Sequence, residues 1–224
     1  MIECINLTKI YNLGTPREIK AIENVSCTIG DGEFVLLMGP SGSGKSTLLA
    51  LIAALTRPTS GRVVVDKEIV SKLSEDFAAL YRRRKVAFIF QKFHLLEDLT
   101  VLENVALPLV PHIHSRQDIE KRAFEVMRRF FIEHKAYEKV GKLSGGEQQR
   151  AAIARSMVFD PPIILADEPT ANLDAKLSGQ FIEILTDIKR EGRTVVVATH
   201  DPRFLEVDEV DRVLEVREGH VFHS

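Results

Sequence analysis

The chain has 224 residues, with 30 Lys and Arg against 32 Asp and Glu, a formal charge of −2 that argues against a protein built to coat nucleic acid electrostatically. Its 45% hydrophobic and 28% charged residues suit an ordinary globular chain, and the longest unbroken apolar run, residues 48–55, is far short of the roughly 18 needed to cross a bilayer. Two cysteines, Cys4 and Cys27, are too few for a disulfide scaffold.

Residues 2–7 and 21–29 read as early strands, in which Cys4 and Cys27 are expected to pack as reduced core thiols. No basic segment followed by an apolar stretch and a cleavage site opens the sequence, so the expected location is the cytoplasm. Phe34-Val35-Leu36-Leu37-Met38 is wholly apolar, the pattern of a strand buried on both faces of a parallel sheet, and a helix is expected from Lys45 to about Leu55. The basic run Arg82-Arg83-Arg84-Lys85 reads first as a solvated helix end, with contact to anionic lipid or an acidic loop as the sharper alternative. Residues 86–90, 163–166 and 194–198 repeat the buried-strand pattern, and the last two are flanked by helical segments, as in right-handed βαβ units. Between Gln91 and Pro161 the pattern turns helical, with Ala123, Val126, Met127 and Phe130 forming the apolar face of an expected helix over 118–132. His112 and His114 lie close together but read as loop residues. Residues 214–216 and 221–222 around Glu218-Gly219 predict a closing hairpin. The whole reads as one α/β domain with a helical stretch inserted into its core.

Gly39-Pro40-Ser41-Gly42-Ser43-Gly44-Lys45-Ser46 fits G-x-x-x-x-G-K-[ST] and stands between a buried strand and a helix, where a phosphate-binding loop must lie. Its glycines let successive N–H groups and the helix N-terminus face phosphate oxygens, Lys45 supplies positive charge, and Ser46 offers a hydroxyl to Mg²⁺. The strand over 163–166 delivers Asp167 and Glu168 to the carboxyl edge of the sheet, where open α/β sheets bind ligands. Asp167 suits Mg²⁺, and Glu168 suits an attacking water. Leu143-Ser144-Gly145-Gly146-Glu147-Gln148-Gln149-Arg150 precedes a helical run over 148–158 and offers a second anion-binding helix N-terminus.

With that segment the sequence resembles the ATP-binding cassette (ABC) ATPases, whose LSGGQ-type signature it carries. The resemblance covers essentially the whole chain. It implies a P-loop NTPase (RecA-like) α/β core over 1–91 and 162–224, an antiparallel β subdomain and an inserted helical signature subdomain over 92–161. Tyr11 matches the aromatic residue that stacks on adenine, although a strand-edge aromatic would look the same. Gln91 matches the Q-loop glutamine on Mg²⁺, Asn172-Leu173-Asp174 resembles the D-loop, and His200 matches the switch histidine, where a plain polar cap is the alternative. The resemblance implies Glu168, His200, Lys45 and Gln91 as catalytic residues. It implies Tyr11, Gly39, Ser41, Gly42, Ser43, Gly44, Lys45, Ser46, Thr47, Ser144, Gly145, Gly146, Glu147 and Asp174 as nucleotide contacts, and Ser46, Gln91 and Asp167 as Mg²⁺ ligands.

The family closes each ATP between the phosphate loop of one subunit and the signature of another, so a second copy of the chain is expected as partner. The segments 88–96, 99–105, 166–170 and 199–202 are similar to the branch of lipoprotein-releasing, macrolide-exporting and cell-division ATPases (LolD, MacB and FtsE). That branch implies a cytoplasmic subunit, peripheral on the inner face of the cell membrane beneath an integral permease of the LolC/E, MacB or FtsX type. It departs from LolD and MacB in Glu147, where those often carry Gln, and in a longer stretch from Asn12 to Lys20. Phe93, Leu95 and Leu96 suit either a groove for a permease helix or the subdomain core. The alternatives are an FtsE-like regulatory ATPase of cell division and a soluble ABC ATPase acting on nucleic acid. A non-catalytic sensor fits poorly, because Glu168 and His200 are both present.

Overall fold

The computed structural model describes residues 1–113, 115–171 and 173–223. Strands β1 (Ile2–Tyr11), β2 (Ile19–Ile29), β4 (Ser60–Val65) and β5 (Glu68–Ile69) form an antiparallel sheet in the order β2-β1-β4-β5. A second sheet runs β10-β9-β3-β8-β7-β6, from β3 (Phe34–Met38), β6 (Val86–Ile89), β7 (Ile163–Asp167), β8 (Thr194–Thr199), β9 (Arg212–Arg217) and β10 (His220–His223). All but β10 are parallel, and the unbroken apolar runs of β3, β6, β7 and β8 reflect a sheet covered on both faces.

The period-two alternation of a strand divides the core into two. Phe34, Leu36, Ile164, Ala166, Val195 and Val197 turn to one face, against α3 (Val101–Ala106), α4 (Arg116–Arg129), α5 (Gly145–Ser156) and α6 (Ala175–Arg190). Val35, Leu37, Leu165, Val196 and Ala198 turn to the other, against α1 (Lys45–Ile52) and the inner face of the antiparallel sheet. Helix α1 is buried along Leu48, Leu49, Leu51 and Ile52, as a helix wedged between two sheets must be. In the chain between β5 and β6, α2 (Glu75–Lys85) carries the basic run at its C-terminus, where Arg82 donates to Ala54 O (2.7 Å) and Lys85 pairs with Asp66 (2.8 Å). Arg84 is exposed and the Lys85–Asp66 pair lies at the surface, so the run is a solvated helix end in which Arg82 and Lys85 also have specific partners.

Several boundaries differ from the sequence pattern for physical reasons. Helix α1 stops at Ile52, short of Leu55, because Ala54 takes a left-handed conformation (φ +50°) and Leu55 N–H turns back to Ala50 O. Helix α4 begins earlier than expected, where Ser115 accepts from Asp118 N–H, and ends earlier, before Phe131 at φ +54°. Strand β6 stops at Ile89, before Phe90, and β1 runs on to Tyr11. The closing hairpin forms around Glu218 and Gly219, both at positive φ, as a two-residue turn requires. Cys4 and Cys27 are buried, unbridged and opposite one another on β1 and β2. Among the described residues no helix is long and apolar enough to cross a membrane.

Candidate nucleotide-binding site

The parallel register brings the carboxyl ends of three strands to one edge: Met38 of β3 faces Thr199 of β8, and Asp167 of β7 faces Ala198. The loop over 39–44, the Asp167-Glu168 pair and His200 leave the sheet side by side, on the edge where α/β sheets hold ligands. Gly44, the N-cap of α1, sits at φ +110° with Ala21 O against it, so that a Cβ there would lie only 2.4 Å from that oxygen. The α1 N-terminus, with Ser46 and Thr47 in its first turn, thereby opens into the loop. Ser43 is buried and its hydroxyl has no hydrogen-bond partner among the described residues, while Ser41 and Gly42 are exposed.

Lys45 is 4% exposed, and its ammonium donates to Gly39 O (2.7 Å) and Pro40 O (3.0 Å) and lies 3.4 Å from Glu168 Oε1. Glu168 Oε2 in turn lies 2.9 Å from His200 Nδ1. Glu168 holds a left-handed backbone (φ +43°), which aims a non-glycine side chain at a cost of order 1 kcal/mol or more. Its own N–H donates to Ala198 O (2.8 Å), extending the β7–β8 ladder by one bond. Asp167 Oδ1 accepts from the Ser46 hydroxyl (2.7 Å); burial raises its pKa, a shift opposed by that hydroxyl and Lys45 and reinforced by the Glu168 charge.

Ser144 caps α5 in a reciprocal capping box with Glu147: Ser144 N–H and Oγ–H donate to Glu147 Oε2 (2.8 and 2.7 Å), and Glu147 N–H donates back to Ser144 Oγ. These bonds hold the Glu147 carboxyl below its ordinary pKa, helped by Lys135 at 3.6 Å. Ser144 and Gly145 are exposed, whereas Gly146 is buried against Leu177 of α6. Among the hydrogen bonds of the described residues none joins Ser144 to Lys45, Glu168 or His200, and the bonds of the Ser144 N–H and hydroxyl are those of its own capping box.

Tyr11 ends β1, exposed, with Lys9 Nζ 4.9 Å from its ring centroid. Gln91 is exposed just beyond β6, and the chain after it is pinned to α5 by Arg155, which donates to Phe93 O (2.7 Å) and His94 O (2.6 Å). Leu95 packs against the helical core, and Leu96 is exposed. Asp174 caps α6 by accepting from Leu177 N–H (2.8 Å). Asn172 and His114 lie outside the described residues; His112 stands against Phe159.

Sequence reasoning gave no role to Arg155, nor to Gln149, whose buried amide donates to Pro169 O (3.2 Å) beside Glu168. It also gave none to Thr170 and Asp201, which bond to each other at 2.7 Å. Their signal was a polar side chain in an otherwise apolar stretch or tight loop, which does not reveal its partner.

A phosphate loop at the edge of a parallel sheet, with an acidic strand end and a histidine beside its lysine, defines a P-loop nucleoside triphosphatase. The chain matches the ABC transporter family over residues 22–171 and belongs to it. It is an ATP-binding, ATP-hydrolysing cassette of that family. It is 42% identical over 219 residues to the macrolide export ATP-binding/permease protein MacB of Chlorobaculum tepidum, covering 98% of this chain and 33% of that protein, so it spans about a third of that relative's length. It is 40% identical over 219 residues to the uncharacterized ABC transporter ATP-binding protein YvrO of Bacillus subtilis, covering 98% of this chain and 94% of that one. Its fold matches the dimeric structure of the ABC transporter cassette MJ0796 at a TM-score of 0.89 and 43% identity, over 99% of this chain and 96% of that one. A further dimeric structure of MJ0796, in a post-hydrolysis state bound to ADP and Pi, matches at 42% identity and the same TM-score and coverages.

Proposed function

We propose that two copies of this chain close around two ATP molecules, each held between the phosphate loop of one copy and the Ser144 helix end of the other, and that hydrolysis reopens the pair. The observation that carries this reading is one chain with two anion-binding helix ends, α1 at Lys45 and α5 behind the exposed Ser144, of which the first has Lys45 paired with Glu168 and Glu168 with His200. A two-fold pair makes both halves complete at once. Functionally the chain then divides into a nucleotide-binding core, 1–91 with 162–224, and a signature-bearing helical part, 92–161.

In this reading the loop over 39–44 and the first turn of α1, through Ser41, Gly42, Ser43, Gly44, Ser46 and Thr47, cradle the phosphates, and Tyr11 stacks on the base. The Ser43 hydroxyl, buried without a partner among the described residues, and Lys45, already facing the loop carbonyls, suit a phosphate chain. Ser46, Asp167 and Gln91 form an all-oxygen donor set that suits Mg²⁺, and the raised pKa of Asp167 marks a carboxylate that gains from a cation. Bound there, Mg²⁺ would neutralise charge on the phosphate oxygens. Glu168 orients the attacking water and accepts its proton, and Lys45 and His200 stabilise charge on the transferred phosphoryl group. Ser144, Gly145 and Gly146 meet the γ-phosphate of the partner's nucleotide. Glu147 fixes the Ser144 rotamer there, and Asp174 lines the same junction.

The partner beyond the second copy is an integral permease, and the chain acts from the inner membrane face through it. A groove of about 380 Å³ lined by Phe88, Phe90, Pro108, Phe159 and Arg83 suits a permease segment with an apolar face. The test of the site is Glu168→Gln. Equilibrium ATP binding is expected to persist while steady-state phosphate release falls at least ~10²-fold; release at the unmodified rate would remove Glu168 from this role.

A further inference from the structure

The backbone ladder between β7 and β8 ends with Glu168 N–H on Ala198 O, so the two loops that carry Glu168 and His200 leave the sheet without further strand pairing to hold them together. Both side chains nonetheless face each other at 2.9 Å, and Glu168 does so from a left-handed backbone that it would not keep unaided. Two residues past Glu168, the buried Thr170 hydroxyl donates to Asp201 Oδ2 at 2.7 Å across 31 residues of sequence. Asp201, directly after His200, is set from several sides. Its N–H donates to Thr199 Oγ1 (3.0 Å), and its Oδ1 accepts from Arg203 N–H (3.1 Å) and Nε (2.9 Å). Arg203 Nη2 adds a bond to Oδ2 (2.6 Å). On the Thr170 side, Pro169 O accepts from the Gln149 amide of α5 and Thr170 O accepts from Leu173 N–H.

We infer that Thr170 and Asp201 are positioning residues for hydrolysis: their hydrogen bond clasps the Glu168 loop to the His200 loop, so that the pair stands aimed at one point before chemistry begins. The inference rests on the proposed role of Glu168 and goes beyond it, since neither clasp residue needs to touch nucleotide. Arg203 keeps Asp201 ionised, a charge-assisted acceptor that a Thr hydroxyl alone does not match. Because the clasp acts on aim rather than on affinity, its loss is felt in the rate of the chemical step.

The experiment compares single-turnover ATP hydrolysis and equilibrium ATP binding in the full 224-residue chain for the unmodified protein, Thr170→Val, Thr170→Ser, Asp201→Asn and the Thr170→Val/Asp201→Asn double variant. Thr170→Val is expected to slow hydrolysis about tenfold or more while ATP affinity stays within about threefold. Thr170→Ser, which keeps the hydroxyl, is expected to recover most of the rate. The double variant should be scarcely slower than the worse single one, since both changes act on the same bond: Thr170→Val removes its donor and Asp201→Asn strips the charge from its acceptor. Asp201→Asn makes the same comparison from the other loop, so the result does not depend on Thr170→Val folding. An unchanged rate in Thr170→Val and Asp201→Asn, equal losses in Thr170→Val and Thr170→Ser, or additive losses in the double variant would each overturn the clasp. Glu168→Gln is run alongside. If it hydrolyses normally, the Glu168 assignment and the clasp fall together; if it is blocked while the clasp variants are not slowed, the clasp alone falls.

Discussion

Gly44→Ala tests how the phosphate loop is built. The added Cβ would sit 2.4 Å from Ala21 O and 2.9 Å from Ile22 Cδ1, against the roughly 3.4 Å of an ordinary contact, at a φ of +110° that disfavours any side chain. The Ile22 methyl can swing aside, but Ala21 O is backbone held within β2, so the loop or the strand must yield by about 1 Å. A displacement of that size in a preorganised site costs on the order of 10²-fold in rate, and the backbone strain adds about 1–3 kcal/mol of instability. Gly42→Ala is the control: it also has positive φ (+79°), yet its Cβ would meet nothing within 4 Å, so it carries conformational strain without a collision. Titration with a fluorescent ATP analogue and a denaturant melt of both variants separate the two effects. Gly44→Ala is expected to lose binding and stability well beyond Gly42→Ala. Equal losses, or a Gly44→Ala chain that binds and melts like the unmodified protein, would refute the idea that Ala21 O sets the loop.

Lys45→Ala removes a buried cation shared by Gly39 O, Pro40 O and Glu168, and is expected to weaken ATP binding itself at least tenfold; an equilibrium titration showing no loss contradicts the phosphate-loop assignment. Ser144→Ala breaks the capping box of α5, for about 1 kcal/mol of stability by denaturant melt, and its loss of hydrolysis should far exceed anything that destabilisation explains. Asp201 and Asp167 shift in opposite directions, so their pH dependences differ in sign. The bonds from Arg203 hold Asp201 at about 2 against its ordinary 3.8, so its contribution is present above pH 4 and fades as pH falls toward 2. Asp201→Asn is therefore expected to cost about 1–3 kcal/mol at pH 7 and progressively less below pH 4 in paired melts. Asp167 is raised by burial, so the unliganded chain is penalised as pH climbs through its folded pKa; Asp167→Asn is expected to melt higher than the unmodified chain at pH 7 and to lose that advantage in acid.

The phosphate loop was legible because its chemistry is local: eight consecutive residues must follow a strand and open a helix, and they do. Asp167 and Glu168 were legible because a buried strand delivers whatever follows it to the sheet edge. The signature segment was legible as the start of a helix, although α5 begins at Gly145 rather than Gln148, because the Ser144–Glu147 capping box takes both glycines into its first turn. The end of α1 was hidden in an all-apolar run, where a left-handed alanine does the work usually given to glycine. Strand β4 went unread because it pairs with β1 more than fifty residues earlier and carries its apolar residues only at Val63–Val65. The ties that brace the site were not legible at all. Gln149 reaches Pro169 across 20 residues, Thr170 reaches Asp201 across 31, and Arg155 reaches the chain after Gln91 across about 60, separations that no helical or strand period reports.

The account turns on nucleotide being shared between two copies. Its most direct test is the mass of Glu168→Gln by sedimentation equilibrium, with and without saturating Mg-ATP. The account predicts a monomer alone and a dimer with Mg-ATP, and a Ser144→Ala change in the same background should return it to monomer. A Glu168→Gln chain that binds ATP stoichiometrically and still sediments as a monomer would contradict it.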